Sequence, residues 1–182
     1  MSITPQESFL RQASAAARAA GHIFPDYAAC EAALESAWGQ SRLAREANNL
    51  FGQKQSLDDA VGISTLSMPT QEFLHGRWLT VTAHWVSFAD KAACFRARMA
   101  LLRRLERNYP AYARALVATT GEVFIEEVSR AWSTDPQRAQ KVLAIHRQHS
   151  ASFLPPTPPA SAAPRLGCLD AGLTPIAGIL YR

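Results

Sequence analysis

The stretch AALESAWGQSRLAREANNLFGQK, residues 32–54, holds one carboxylate, Glu35, among small and apolar side chains, then a tryptophan, a glycine and an Asn-rich turn. Pro25 and Asp26 offer a helix start ahead of it. Tyr27 to Trp38 continues with Cys30, Ala33, Leu34 and Ala37 on one side, and Gly39 supplies a C-terminal break. This predicts a helix with Glu35 in its last turn. A short helix over Arg42–Ala47 follows. NNLFGQK then reads as a turn in which Asn and Gly accept positive φ while Leu50 and Phe51 anchor it.

Outward from this segment the pattern is mostly helical. Thr4 and Pro5 cap and start a first helix running to Ala20, with Gly21 as its stop. Later helices are predicted over Asp90–Asn108, Pro110–Val117, Gly121–Ala131 and Asp135–His149. Between Val61 and Trp85 the period changes to two. RWLTVTAHW alternates Trp78, Thr80, Thr82, His84 with Leu79, Val81, Ala83, Trp85, and His75-Gly76 reads as a hairpin turn. The expected architecture is a mainly α domain with a small antiparallel β-hairpin lobe. It occupies residues 1–153, followed by a Pro-rich linker, 154–164, and a short apolar tail, 165–182.

Composition bounds the function. At 182 residues, 48% hydrophobic and 19% charged, the chain has the balance of one globular domain rather than a disordered one. A formal charge of +4 favours anionic partners without selecting one. Cys30, Cys94 and Cys168 are too few and too scattered for a disulfide framework or a metal pair and read as small hydrophobes. No segment approaches the roughly 18 apolar residues of a membrane span, so no membrane insertion is expected. The N-terminus lacks an apolar run behind a basic start. The expectation is a chain made in the cytoplasm without a signal peptide.

A carboxylate packed beside apolar side chains holds its proton more tightly, and a carboxylic acid near neutral pH can protonate a leaving oxygen in glycosidic cleavage. Glu35, next to Trp38, has that setting. On pattern alone a partly solvated helix residue is the more ordinary reading, and Glu31, one turn earlier, competes for the role.

The segment 32–54 closely resembles the region around the catalytic glutamate of the glucosaminidases of glycoside hydrolase family 73, the flagellar muramidase-like peptidoglycan hydrolases. Thr70-Gln71-Glu72 resembles the family's Thr-x-Glu in its β lobe, and WSTDP, 132–136, its Tyr-x-Thr-Asp-Pro near the last helix. The resemblance covers roughly residues 5–149. It implies a lysozyme-like fold, a phage-lysin-like wall hydrolase acting on peptidoglycan glycan strands, Glu35 as general acid and Glu72 as second carboxylate. A glycosidase needs such a second group to guide water or steady the developing cation. Direct attack and assistance by the substrate's acetamido group both remain open, as do muramidase or lytic transglycosylase chemistry and a catalytically impaired glycan-binding module.

Two departures stand out. Trp132 replaces the tyrosine before Thr-Asp-Pro, and Trp85 the tyrosine before Ser87, each keeping an aromatic face and losing a phenol hydroxyl. Substrate contacts are expected from Trp38, Asn49, Phe51, Trp85, Trp132 and Asp135, with about two of the four tryptophans lining the cleft. Asn49 and Phe51 are expected mainly to shape its floor.

His146 and His149 read as surface histidines, and neither a metal nor a cofactor is expected. The basic run Lys91, Arg96, Arg98, Arg103, Arg104 and Arg107 reads as a solvated helix face, so no nucleic-acid partner is expected. The chain is expected to be a monomer. It is expected to reach the wall by release or by a delivery or secretion partner, for which the tail is the natural contact.

Overall fold

The computed structural model describes residues 2–55, 64–74 and 76–153, with 72–74 by backbone alone. The predicted linker and tail lie outside the described residues. So does Cys168.

Helix α1 (Pro5–Ala19) begins with a reciprocal cap in which Thr4 and Glu7 satisfy each other's backbone donors. Helix α2 (Pro25–Glu35) is built from residues small enough to be surrounded. Ala28, Ala29, Cys30, Ala32 and Ala33 are all buried, and the helix packs against α1, α6 and α7. A carboxylate at its end is therefore carried by the best-enclosed element of the fold. Helix α3 (Arg42–Ala47), capped by the Ser41 hydroxyl, has the predicted bounds.

Strands β1 (Thr65–Leu74) and β2 (Arg77–Val86) pair antiparallel, with Thr65 opposite Val86 and Leu74 opposite Arg77. Along β2, Leu79, Val81, Ala83 and Trp85 are the more enclosed set, as the alternation predicts. The chain after α3 joins this lobe through an antiparallel bridge between Lys54 and Trp85.

Helices α4 (Lys91–Leu105), α5 (Pro110–Leu116), α6 (Gly121–Trp132) and α7 (Arg138–Gln148) complete the helical lobe, and a 3-10 turn at Ser150–Phe153 closes it. The core runs through Leu10, Phe51, Phe95, Leu102, Phe124, Ile125 and Val142. Gly121 is required by packing, since a Cβ there would lie 2.1 Å from the Tyr27 ring.

Three sequence expectations need correction. Helix α2 ends at Glu35, not Trp38, and α7 begins at Arg138, not Asp135. His146 is not a simple surface residue: its ring lies between Tyr27, centroids 4.0 Å apart, and Phe153, 5.4 Å.

Candidate active site

Glu35 is the last helical residue of α2, and the turn beyond it is unusual. Ala37, Trp38 and Gly39 have φ of 50°, 59° and 76°, three consecutive left-handed residues of which two carry a Cβ. Ser36 holds them. Its hydroxyl donates to the Ala32 carbonyl at 2.5 Å and accepts from the Gly39 N–H at 2.8 Å. Gly39 cannot be replaced, because a Cβ would meet the Phe9 ring at 2.7 Å. Ala37 sits in the same backbone region on the surface, where a side chain is a cost. Ala37→Gly is expected to raise stability by about 0.5–1 kcal/mol, measured by denaturant unfolding; a loss of stability would show that Ala37 is not strained.

The Glu35 carboxylate does not face an apolar wall. Its side chain is 25% exposed, and its Oε1 accepts a hydrogen bond from Arg138 Nε at 2.8 Å. Arg138 is 2% exposed and fans out in three directions: Nε to Glu35, Nη1 to Ser129 Oγ at 2.8 Å, and Nη2 to Glu31 Oε1 at 2.8 Å. Glu31, at 1% exposure, also accepts from Arg98 Nη2 at 3.3 Å. Arg98 is equally buried and lies with its guanidinium 3.5 Å from the centre of the Trp132 ring and 5.2 Å from that of Phe51.

Burial pushes the Glu31 carboxyl up, but Arg98 and Arg138 together outweigh it and hold the group below the ordinary carboxylate range. Burial likewise lowers the Arg138 guanidinium, and Glu31 and Glu35 more than reverse that. At Arg98 burial outweighs Glu31 and lowers the guanidinium, which as an arginine still keeps its charge, and of the two carboxylates Glu31 is enclosed. Only Glu35 reaches solvent.

Sequence reasoning missed both arginines. Arg98 was assigned to a solvated face, yet it belongs to the buried stripe of α4 with Cys94, Phe95, Met99 and Leu102. That spacing was a legible signal, since position 98 falls where a heptad pattern wants an apolar side chain. Arg138, one turn before buried Val142, carried the same signal more faintly.

The other predicted residues surround this cluster unevenly. Asp135 organises the start of α7: Oδ1 accepts from the Gln137 N–H at 2.9 Å, Oδ2 accepts from Lys141 Nζ at 2.7 Å, and its carbonyl accepts from the Arg138 N–H at 3.2 Å. The Lys141 bond, then that of Gln137, holds its carboxyl below the usual range. Asp135 also lines an open pocket of about 340 Å³ with Glu126, Ser129, Arg130, Ser133 and Pro136. Trp132 is half-buried with one face covered by Arg98.

Trp38 lies edge-on to Phe9 and His149 and lines a second pocket of about 280 Å³ with Gln40 and Lys91. Trp85 is half-buried with Lys54 Nζ 5.2 Å from its ring, whereas Trp78 is 68% exposed. Asn49, 1% exposed, donates to the Gln53 and Val86 carbonyls at 2.8 Å and accepts from the Gln53 N–H, tying the loop to β2. Phe51, 4% exposed, packs under Arg98 and Phe95. Both face inward. Glu72 stands opposite Leu79 in β1, and its side chain lies outside the described residues. No group of three or more His, Cys, Asp or Glu among the described residues is placed to hold a metal.

Comparison with known proteins converges on one family. Residues 11–151 match the family model Glucosaminidase, described as mannosyl-glycoprotein endo-beta-N-acetylglucosaminidase. The chain is 30% identical to the exo-glucosaminidase LytG of Bacillus subtilis over 68% of its own length and 43% of the relative's. It is 33% identical to the peptidoglycan hydrolase FlgJ of Pseudomonas aeruginosa over 67% and 30% respectively. It therefore spans less than half the length of either.

Among solved structures, the catalytic domain of the autolysin Auto from Listeria monocytogenes superposes with a TM-score of 0.70 at 22% identity, over 84% of this chain and 88% of that one. The truncated glycoside hydrolase domain of Salmonella typhimurium FlgJ gives 0.64 at 28%, over 80% and 98%. The fold is the lysozyme-like helical domain with a hairpin lobe that the sequence predicts.

Proposed function

Because this chain belongs to the glucosaminidase family of glycoside hydrolases, we propose that it hydrolyses β-1,4 bonds of peptidoglycan glycan strands as an endo-β-N-acetylglucosaminidase, with Glu35 as the general acid. The observation that carries this reading is the carboxylate itself: carried at the end of the most enclosed helix, a quarter exposed, and held at one oxygen by a buried cation. In this reading Oε2 faces the glycosidic oxygen and delivers the proton as the bond to the leaving sugar breaks.

Glu72 is the second carboxylate. Its position on β1, in the lobe that Asn49 ties to the helical core, supports a role across the cleft from Glu35. Trp38, on the turn directly after Glu35, and Trp132, whose second face is not covered by Arg98, are the proposed sugar platforms. The substrate lies in the cell wall, outside the cytoplasm. No helix among the described residues is long and apolar enough to cross a membrane. We place a delivery or secretion contact in residues 165–182.

The test is a digest of purified wall read by mass spectrometry. Fragments ending in reducing N-acetylglucosamine are expected; reducing N-acetylmuramic acid or an anhydro product would replace this reading with muramidase or transglycosylase chemistry. In the same digest Glu72→Gln is expected to lower the rate by about 10²-fold, within the usual range for one acid–base group. A parental rate would remove Glu72 from the mechanism.

A further inference from the structure

Arg138 makes three charge-assisted or neutral hydrogen bonds in three directions, and only one of them reaches the side chain that meets solvent. Glu31 and Ser129, the other two partners, are buried, so the guanidinium is fixed from behind before any substrate arrives. Arg98, on α4, donates to the same Oε1 of Glu31 that Arg138 uses, and Trp132 of α6 covers Arg98.

We propose that Arg138 is a positioning residue for the catalytic proton: it selects the oxygen of Glu35 that carries the proton and neutralises the charge left when that proton departs. The proposal rests on the reading of Glu35 as the general acid.

The chemistry follows from the bond at Oε1. An oxygen that accepts from Arg138 Nε uses the lone pair a proton on that side would need, so the acidic hydrogen resides on Oε2, away from the guanidinium. During cleavage the proton passes from Oε2 to the glycosidic oxygen, which takes the electron pair of the breaking C–O bond. Water gives its hydroxyl to the anomeric carbon and its remaining proton restores the acid.

Negative charge grows on Glu35 as this happens, and Arg138 already stands 2.8 Å from it. A donor held in place in the ground state costs no reorganisation at the moment of reaction. Glu31 has a definite part: as a buried anion bonded to Nη2 at 2.8 Å it keeps Arg138 oriented when Glu35 is neutral.

The experiment measures kcat and KM on soluble glycan fragments, with melting temperature, for three variants. Arg138→Lys keeps a cation against Glu31 but cannot reach both carboxylates. Glu31→Gln/Arg138→Met removes the inner pair together and leaves Arg98, on α4, without its anion, so the melting temperature is read beside kcat. Glu35→Gln is run beside them. The double variant is expected to lose about 100-fold in kcat with KM within about threefold, the signature of an interaction made in the transition state. Arg138→Lys is expected to recover roughly a tenth of the parental kcat.

A parental kcat in the double variant, or a lysine variant no better than methionine, overturns the proposal. If the double variant does not fold, Arg138→Lys decides alone, by the same split of kcat from KM. An active Glu35→Gln would overturn the acid assignment itself. An inactive Glu35→Gln beside Arg138 variants of parental kcat would overturn only the positioning role.

Discussion

Glu35→Gln is expected to fold like the parent and to release reducing ends from cell wall at least about a thousandfold more slowly. The substitution changes little else. Glutamine has the same length, its amide oxygen can still accept from Arg138 Nε, and the side chain is a quarter exposed, so no charge is stranded in the interior by the change at position 35 itself. Arg138 keeps Glu31 as its ionic partner. What is lost is a proton that can leave. Rate and melting temperature measured on one preparation separate chemistry from folding: a slow, folded variant supports the acid, and lysis at the parental rate ends that assignment.

Glu31→Ala should have the opposite profile, with its first effect on stability. It leaves Arg98 and Arg138 charged, 1% and 2% exposed, with their shared anion gone. Breaking a buried pair by removing one partner typically costs about 3–5 kcal/mol. Here two cations share the one carboxylate, and Glu35 can take up only the nearer, so the upper part of that range is expected. In a domain of this size the melting temperature should fall by roughly 10–15 °C.

The sign with pH is fixed by the downward displacement of the Glu31 carboxyl in the folded protein. A carboxylate held down on folding stabilises at every pH above its ordinary value and loses that contribution as pH falls through the folded value. The gap between parent and Glu31→Ala should therefore be full at neutral pH and narrow in acid. Guanidinium unfolding across that range measures it. A gap under about 1 kcal/mol at pH 7 would mean that the arginines re-pair elsewhere.

Much of the frame was legible from residues alone, because its signals are local. Thr4 with Pro5 starts α1, Ser41 caps α3, Asp90 caps α4 through the Ala93 N–H, and the period-two pattern before Trp85 becomes β2. The end of α2 was less legible. Ala37 and Trp38 carry side chains that disfavour positive φ, so a reading from propensity runs the helix on to Gly39. The surrounding contacts override it: Ser36 bonds both sides of the turn, and Phe9 lies beneath Gly39.

Around the candidate site, the solvent-reaching Glu35 is legible in the sequence and the two buried cations near it are not. Glu35 stood out because a charge among alanines is locally anomalous. Arg98 did not, because it sits in a run of six basic residues and its burial depends on Trp132 and Glu31, which are distant in the chain. Asp135 is expected from the sequence to contact substrate, and the structure adds a second part for it. Its bonds to Gln137 and Arg138 show a local task, setting where α7 begins and so where the guanidinium stands.

The buried charges also constrain how such a site can arise or disappear by mutation. Glu31, Arg98 and Arg138 lie on three helices, with Glu31 the anion that both arginines share and Glu35 a second partner for Arg138. Replacing Glu31 strands Arg98, whereas replacing either arginine leaves Glu31 paired with the other, so the effects of the three changes are far from additive. The three positions are therefore coupled, and a change at one sets the cost of a change at the others.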